Sequence, residues 1–375
     1  MKEFSFPNNK QLAIEIVDKL STESRGNQAM LTAQLVARVP LGYSDFQLAR
    51  DEAWWCGVRT GRLSPDLDSH AMRIIPGKET GEGMLNGYDV ELTDREGSYR
   101  RHFTNQSMSS AANRKILELT KDEESETKIG DTYSYYLTTI PSEEDERNTV
   151  APLRVKSCRD PLVFEDASLK DYLTASEVLT GVSEPPTESK DPPMPIFVTQ
   201  DVWDESKEQA HRGGEQESAA LFSGRLFRDS HSPEVFVRLD ACLEAAHARE
   251  EKLAVTFTGE TWAHARNLLE VRRKRLRRPH ELIVGSVHRH PFPPAVDSNG
   301  NRMCEACAVA KYCSRSTAVP STDDFEWHRS VFSGQPYTTL LIWGYNAREE
   351  EDFRIYGLEN ATFQERTIRL LKNEP

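Results

Sequence analysis

Apolar and polar positions alternate along "GYDVELTDREGSYRRHFTN" (87–105), on either side of Asp94 to Gly97. A period of two flanking a turn of this kind predicts a β-hairpin. Residues 10–38 carry apolar positions at helix-like spacing instead, so the first part of the chain reads as a mixture of helix and strand. "YSYYLTTI" reads as an aromatic strand, and the acid-rich stretches around it, "TKDEESETK" (120–128) and "SEEDER" (142–147), read as solvated loops. Beyond residue 230 come four strand-like apolar runs: "VFVRLDAC" (235–242), "LAVTFTG" (253–259), "ELIVGSVH" (281–288) and "TTLLIWGY" (338–345). "TWAHARNLLEVRRKRL" (261–276) reads as a helix among them. The pattern predicts an α+β fold, a mixed sheet with packed helices. Between the two parts lies "SEPPTESKDPPMP" (183–195), with five prolines and no helical or strand period, which marks a linker. The expected organisation is an N-terminal domain of mixed α/β content at 1–182, a linker at 183–204 and a C-terminal domain at 205–375.

Composition narrows the function classes. The 375 residues suffice for two domains with cores that need no covalent staples. Sixty acidic against 47 basic side chains, a formal net charge of −13, argue against a protein whose main work is gripping nucleic acid. Six cysteines are too few for a disulfide scaffold, and three of them, Cys304, Cys307 and Cys313, crowd into ten residues. That crowding suggests metal rather than oxidation, and a reducing compartment. The N-terminus has no signal-peptide pattern, and no apolar stretch approaches the ~20 residues of a membrane span. The expectation is a soluble, cytoplasmic protein.

The candidate chemistry begins at "VGSVHRHPFPP" (284–294). If "ELIVGSVH" is a strand, its period places His288 and His290 on one side of the sheet and Arg289 on the other. Two imidazoles can then converge on one ion. Downstream, Pro320 precedes Ser321, and Ser321 with Asp324 has the spacing of a capping box that starts a helix. The same spacing puts a hydroxyl and a carboxylate on one face of the first turn, so Asp324 can be a third ligand. Glu217 lies directly before the apolar stretch "SAALFSG", in which Gly224 permits close approach, and is the candidate general base. His, His and Asp leave one tetrahedral position open, the pattern of a catalytic rather than a structural zinc site.

Glutamate, then His-x-His-Pro, then Ser-x-x-Asp, in that order, resembles the JAMM motif of the JAB1/MPN metalloprotease family over residues 205–370. The resemblance implies Zn2+ held by His288, His290 and Asp324, with Glu217 as general base and Ser321 supporting the tetrahedral intermediate. His328, four residues after Asp324, matches helices of the family and favours Asp324 over Asp323 as ligand. The activity implied is that of an isopeptidase or peptidase cutting after the C-terminal tail of ubiquitin or a ubiquitin-like protein. Two departures stand out. Arg289 replaces the small residue usual between the histidines, and thirty residues separate His290 from Ser321, an insertion at 291–319 over the mouth of the site.

Inside the insertion, Cys304, Cys307 and Cys313 could hold a second, structural zinc if a fourth ligand arrives from elsewhere, or be three free thiols. Zinc nucleobase deaminases are excluded, since they need His-x-Glu before Pro-Cys-x-x-Cys, and the motif here is His-x-His. Other readings are a non-catalytic JAB-domain scaffold, in which such ligands are usually missing, and a DNA-repair-associated JAB protein. The basic run "RRKRLRR" (272–278) is the support for the last, but the preferred reading of it is the solvated, dipole-favoured end of a helix. In the N-terminal domain, Trp54, Trp55 and Cys56 read as core, and partner or substrate recognition is the role expected of that domain.

Overall fold

The apolar run at residues 11–17 folds as strand, not helix. In a computed structural model, Lys10–Asp18 (β1) pairs antiparallel with Leu35–Pro40 (β2) on one side and with Tyr133–Pro141 (β6) on the other. The helical spacing expected over 10–38 is thus corrected to strands among the described residues, Ser21–Arg25 and Gln28–Thr32 included. "LAIEIV" satisfies a helical and a strand period alike, and β-branched Ile14, Ile16 and Val17 pack best on a pleated surface. Leu12, Ile14 and Ile16 are fully buried there.

The structure describes residues 4–5, 10–18, 21–25, 28–32, 35–65, 70–81, 83–95, 97–121, 133–141, 162–181, 194–251, 254–296, 315–332 and 335–372. Its contacts divide the chain into two units, 1–161 with 360–362, and 162–359 with 363–375. In the first unit, Gln47–Arg59 (α1) buries Trp54 and Trp55, which fits their reading as core. Ala71–Pro76 (β3), Tyr88–Thr93 (β4) and Ser98–Phe103 (β5) form an antiparallel sheet. The β4–β5 hairpin turns where the sequence predicts. Asp94 N–H donates to Gly97 O at 3.0 Å, and Gly97 N–H donates to the Asp94 carboxylate at 2.8 Å. Ser109–Lys121 (α2) follows β5.

The second unit is built on a ten-stranded mixed sheet. Its strands are Phe164–Ala167 (β7), Ser176–Val178 (β8), Ile196–Thr199 (β9), Ala219–Asp229 (β10), Val235–Glu244 (β11), Leu282–Arg289 (β12), Thr339–Tyr345 (β13), Glu351–Glu359 (β14), Thr362–Arg366 (β15) and Ile368–Leu371 (β16). The order is β8-β16-β9-β11-β10-β12-β13-β14-β15, with β7 also on β10. Helices cover both faces. On one, Trp203 of Gln200–His211 (α3) packs on Trp343 and Phe353 at ring separations of 5.1 and 4.7 Å. On the other, Ala265 of Gly259–Arg275 (α4), with Phe332 at the end of Thr322–Val331 (α5), joins Leu221, Ala241 and Leu243 in one cluster. Strands buried on both faces need no alternation, which is why β11 and β13 read as near-continuous apolar runs. Mixed sheet and helices together give an α+β architecture at the coarse level. No helix among the described residues is long and apolar enough to cross a membrane.

Three expectations need correction. The linker expected at 183–204 ends inside regular structure, since 196–199 is β9 and 200–204 opens α3. Residues 182–193 lie outside the described ones, as does most of both acid-rich stretches. The division falls at 161/162 because β7 and β8, upstream of the prolines, pair with β10 and β16 of the second unit. Among the described residues of "LAVTFTG", only Val255–Thr256 is strand. Phe257 then turns onto Trp262 and Trp327, and Thr258 caps α4 through the Thr261 N–H. The basic run 272–278 is divided between two environments. Arg272 donates to buried Glu281 at 2.7 Å and Arg278 lies 3.6 Å from buried Asp240, leaving Lys274, Arg275 and Arg277 in solvent.

Candidate metal centre

Strand pairing brings the site together. In β12, His288 lies opposite Ala219 of β10 and beside Ile342 of β13. Alternation along β10 places Glu217 on the face of Ala219, and alternation beyond β12 returns His290 to the face of His288. The His290 N–H donates to Trp343 O at 2.8 Å, so the ladder continues past the strand end. Glu217 is anchored by its own N–H, which donates to Glu251 O at 2.8 Å. Gly224 permits the expected close approach. A Cβ there would lie 2.2 Å from Arg238 O, at the bulge where β10 changes register.

The third ligand candidate comes from α5. Ser321 is its N-cap, and the box closes in both directions. Asp324 N–H donates to Ser321 Oγ at 3.1 Å, and the Ser321 N–H and hydroxyl both donate to Asp324 Oδ2, at 2.7 and 2.8 Å. The cap aims the carboxylate at the two imidazoles. Asp324 Oδ1 lies 3.3 Å from His288 Nε2, and Oδ2 lies 3.5 Å from His290 Nε2. The two Nε2 atoms are 3.1 Å apart. His288, His290 and Asp324 each offer one ligand atom, all within 4.8 Å of one another, the group with this geometry among the described residues. Glu217 Oε1 stands just outside, 4.0 Å from His290 Nε2. His288, His290 and Glu217 are all buried. Asp323, the adjacent carboxylate, is exposed and has no place in the group.

The hydrogen-bond pattern calls for a shared proton or a cation at the centre. His290 Nδ1 sits 2.6 Å from Thr317 O, and a carbonyl can only accept, so Nδ1 carries the proton. Neutral His290 then turns a lone pair at Nε2 toward the Asp324 carboxylate and a second imidazole. Acceptors facing acceptors in a buried pocket need a proton or a metal ion between them. The shifts follow the same logic. Burial alone would raise Asp324, but the His288 and His290 imidazoles and the Ser321 N–H outweigh it and hold the carboxyl far below its usual range. Burial would lower His290, but Asp324, the Thr317 carbonyl and Glu217 carry it upward. Glu217 is raised by burial, against the pull of His290 and His288.

Two nitrogens and one carboxylate oxygen fit a divalent first-row ion, zinc among them, with positions left for solvent or substrate. All five residues expected at the site are therefore within one neighbourhood, although the Ser321 hydroxyl is engaged by Asp324. Of two further neighbours, the sequence gives no sign of Thr317 and marks His328 only by its place four residues after Asp324. Thr317, which holds His290, lies 27 residues away in the insertion. His328 is buried under the site, bonds Thr338 Oγ1 at 3.0 Å and is lowered to about 3, first by burial and then by His288. Arg289, on the opposite face, donates to Gly214 O at 3.0 Å and to the Tyr345 hydroxyl. Cys304, Cys307 and Cys313 lie outside the described residues.

No family model matches the chain, and a comparison with curated proteins finds no match. Among solved structures, the solution structure of protein DSY2949 from Desulfitobacterium hafniense is 20% identical. The match covers 48% of this chain and 94% of that one at a TM-score of 0.29.

Proposed function

We propose that the second unit is a JAB1/MPN-like, zinc-dependent peptidase or isopeptidase, with the C-terminal tail of a ubiquitin-like protein as its substrate class. The observation that carries this reading is the convergence of His288, His290 and Asp324, with Glu217 4.0 Å from His290 Nε2. A zinc ion held by these three residues would supply Lewis acidity, polarising an amide carbonyl and lowering the pKa of water toward ~7.

The chain's own residues supply the remaining work. Glu217 is the proton carrier, with Oε1 beside the ligands and clear of hydrogen-bond range of His290 Nε2. Burial raises its proton affinity, which suits a group that takes a proton from water and returns it to the leaving amine. β12 and the Thr317 carbonyl fix the direction in which His288 and His290 present their rings. Asp324 neutralises charge at the centre, and Ser321 holds Asp324. In the free protein the Ser321 hydroxyl serves the cap, so support of an oxyanion requires it to leave Asp324 Oδ2. Burial of Glu217, His288 and His290 strengthens the interactions among them.

The test is cleavage of a ubiquitin-like protein carrying a C-terminal extension. Wild type is expected to release the extension, a chelator to stop it, and Glu217→Gln to abolish it while keeping the metal. A Glu217→Gln protein as active as wild type contradicts the assignment.

A further inference from the structure

We infer that Thr317 is a positioning residue of the metal centre, whose hydroxyl holds in place both groups that orient His290. The inference rests on the reading of the His288, His290 and Asp324 cluster given above. His290 is gripped on two sides. Its Nδ1–H donates to the Thr317 carbonyl at 2.6 Å, and its ring stacks on Phe292, with centroids 5.5 Å apart and planes 13° from parallel. Neither group belongs to the sheet. Phe292 is on the leg by which the insertion leaves β12, and Thr317 is on the leg by which it returns to α5.

The Thr317 hydroxyl joins the two legs to each other and to the sheet. Oγ1 donates to Phe292 O at 3.0 Å and accepts the Tyr345 N–H at 2.9 Å, while the Thr317 N–H donates to Tyr345 O at 2.9 Å. One side chain thereby ties the stacking residue, the hydrogen-bonding carbonyl and the end of β13 into one unit. The return leg lies flush on that strand. A Cβ at Gly344 would meet Ala318 N at 2.6 Å and Thr317 Oγ1 at 2.7 Å. Just before Thr317, Arg315 Nη2 donates to Ala295 O at 2.5 Å, joining the legs a second time, and Ser316 Oγ donates to Asp352 Oδ2 at 2.7 Å, tying the return leg to β14. Without the hydroxyl, the Tyr345 N–H and the Phe292 carbonyl lose their partner, and the Thr317 carbonyl is free to turn from Nδ1. His290 then no longer presents Nε2 in a fixed direction, and partners of this kind typically govern about 10- to 100-fold in metal affinity.

The experiment titrates Zn2+ into metal-stripped protein against a chromophoric chelator and records the absorption spectrum of the Co2+ form. Thr317→Val, which keeps the shape and loses the hydroxyl, is expected to bind about 10- to 100-fold more weakly and to change the Co2+ spectrum. Thr317→Ser, which keeps the hydroxyl, is expected to match wild type in both. A Thr317→Val protein with wild-type affinity and an unchanged Co2+ spectrum overturns the inference alone. Wild type that takes up no metal overturns the reading of the cluster and the inference with it. Should Thr317→Val fail to fold, imidazole nitrogen NMR of the zinc-loaded wild type decides. A proton on His290 Nδ1 is expected, and a proton on Nε2 overturns the inference.

Discussion

At the residue scale the site gathers two imidazole nitrogens and a carboxylate at one point. Asp324→Asn removes the one formal negative charge among the three ligand candidates and puts an amide N–H2 or a weaker oxygen toward His288 and His290. Metal affinity is expected to fall by at least the 10- to 100-fold that loss of a supporting group costs, roughly, as chelator competition would read. An Asp324→Asn protein that holds zinc as tightly as wild type places the ligand elsewhere. His328 gives a prediction in pH. Its folded value is lowered to about 3 by burial and His288, against about 6.5 in the unfolded chain. Between these values the unfolded state binds the extra proton, so the contribution to stability is complete above about 6.5 and is lost as pH falls toward 3. The loss approaches about 1.4 kcal/mol per pH unit. His328→Gln keeps a partner for Thr338 and cannot ionise, so its denaturant midpoint is expected to fall less than wild type's over that window. The ligand candidates were legible in the sequence because each kind of residue announces itself by short spacing, His-x-His along a strand and Ser-x-x-Asp at a helix start. Thr317 was not, because its partnership with His290 spans 27 residues and depends on the course of a loop.

At the element scale, α5 does two jobs with one device. The reciprocal bonds between Ser321 and Asp324 start the helix and orient the carboxylate. Ser321→Ala is expected to cost about 1 kcal/mol of stability through the lost cap and to weaken metal binding as well. Thermal unfolding and zinc titration of the same sample check the pair, and a variant that loses stability but no affinity separates the cap from the site. Pro320 and the capping spacing of Ser321 and Asp324 made this helix readable. β11, β12 and β13 were readable as apolar runs for the opposite reason, being covered on both faces. The strands at 10–40 were not, since "LAIEIV" fits either period and its partners, Leu35–Pro40 and Tyr133–Pro141, lie far along the chain. At 253–259, Thr258 and Gly259 start a helix where the apolar run alone suggested strand.

At the scale of the whole molecule, the division at 161/162 changes where the second unit begins. β7 extends the pairing of β10 over Leu226 to Asp229, and β8 pairs with Arg369 to Leu371. A fragment of residues 162–375 is therefore expected to melt cooperatively and bind zinc. A fragment starting at 183, as the proline-rich stretch suggests, exposes two strand edges and is expected to melt lower and aggregate more readily. Equal melting of the two fragments contradicts that role for β7 and β8. The prolines misled because composition marks where regular structure is interrupted, not which sheet the preceding strands join. The claim on which the rest depends is that the His288, His290 and Asp324 group holds a metal. The direct measurement is zinc per chain, by mass spectrometry, in wild type and in the His288→Ala/His290→Ala protein purified without added metal. The account predicts about one equivalent in wild type, or about two if the cysteines also bind, and one fewer in the double variant. Wild type without zinc, or a double variant that holds as much as wild type, contradicts it.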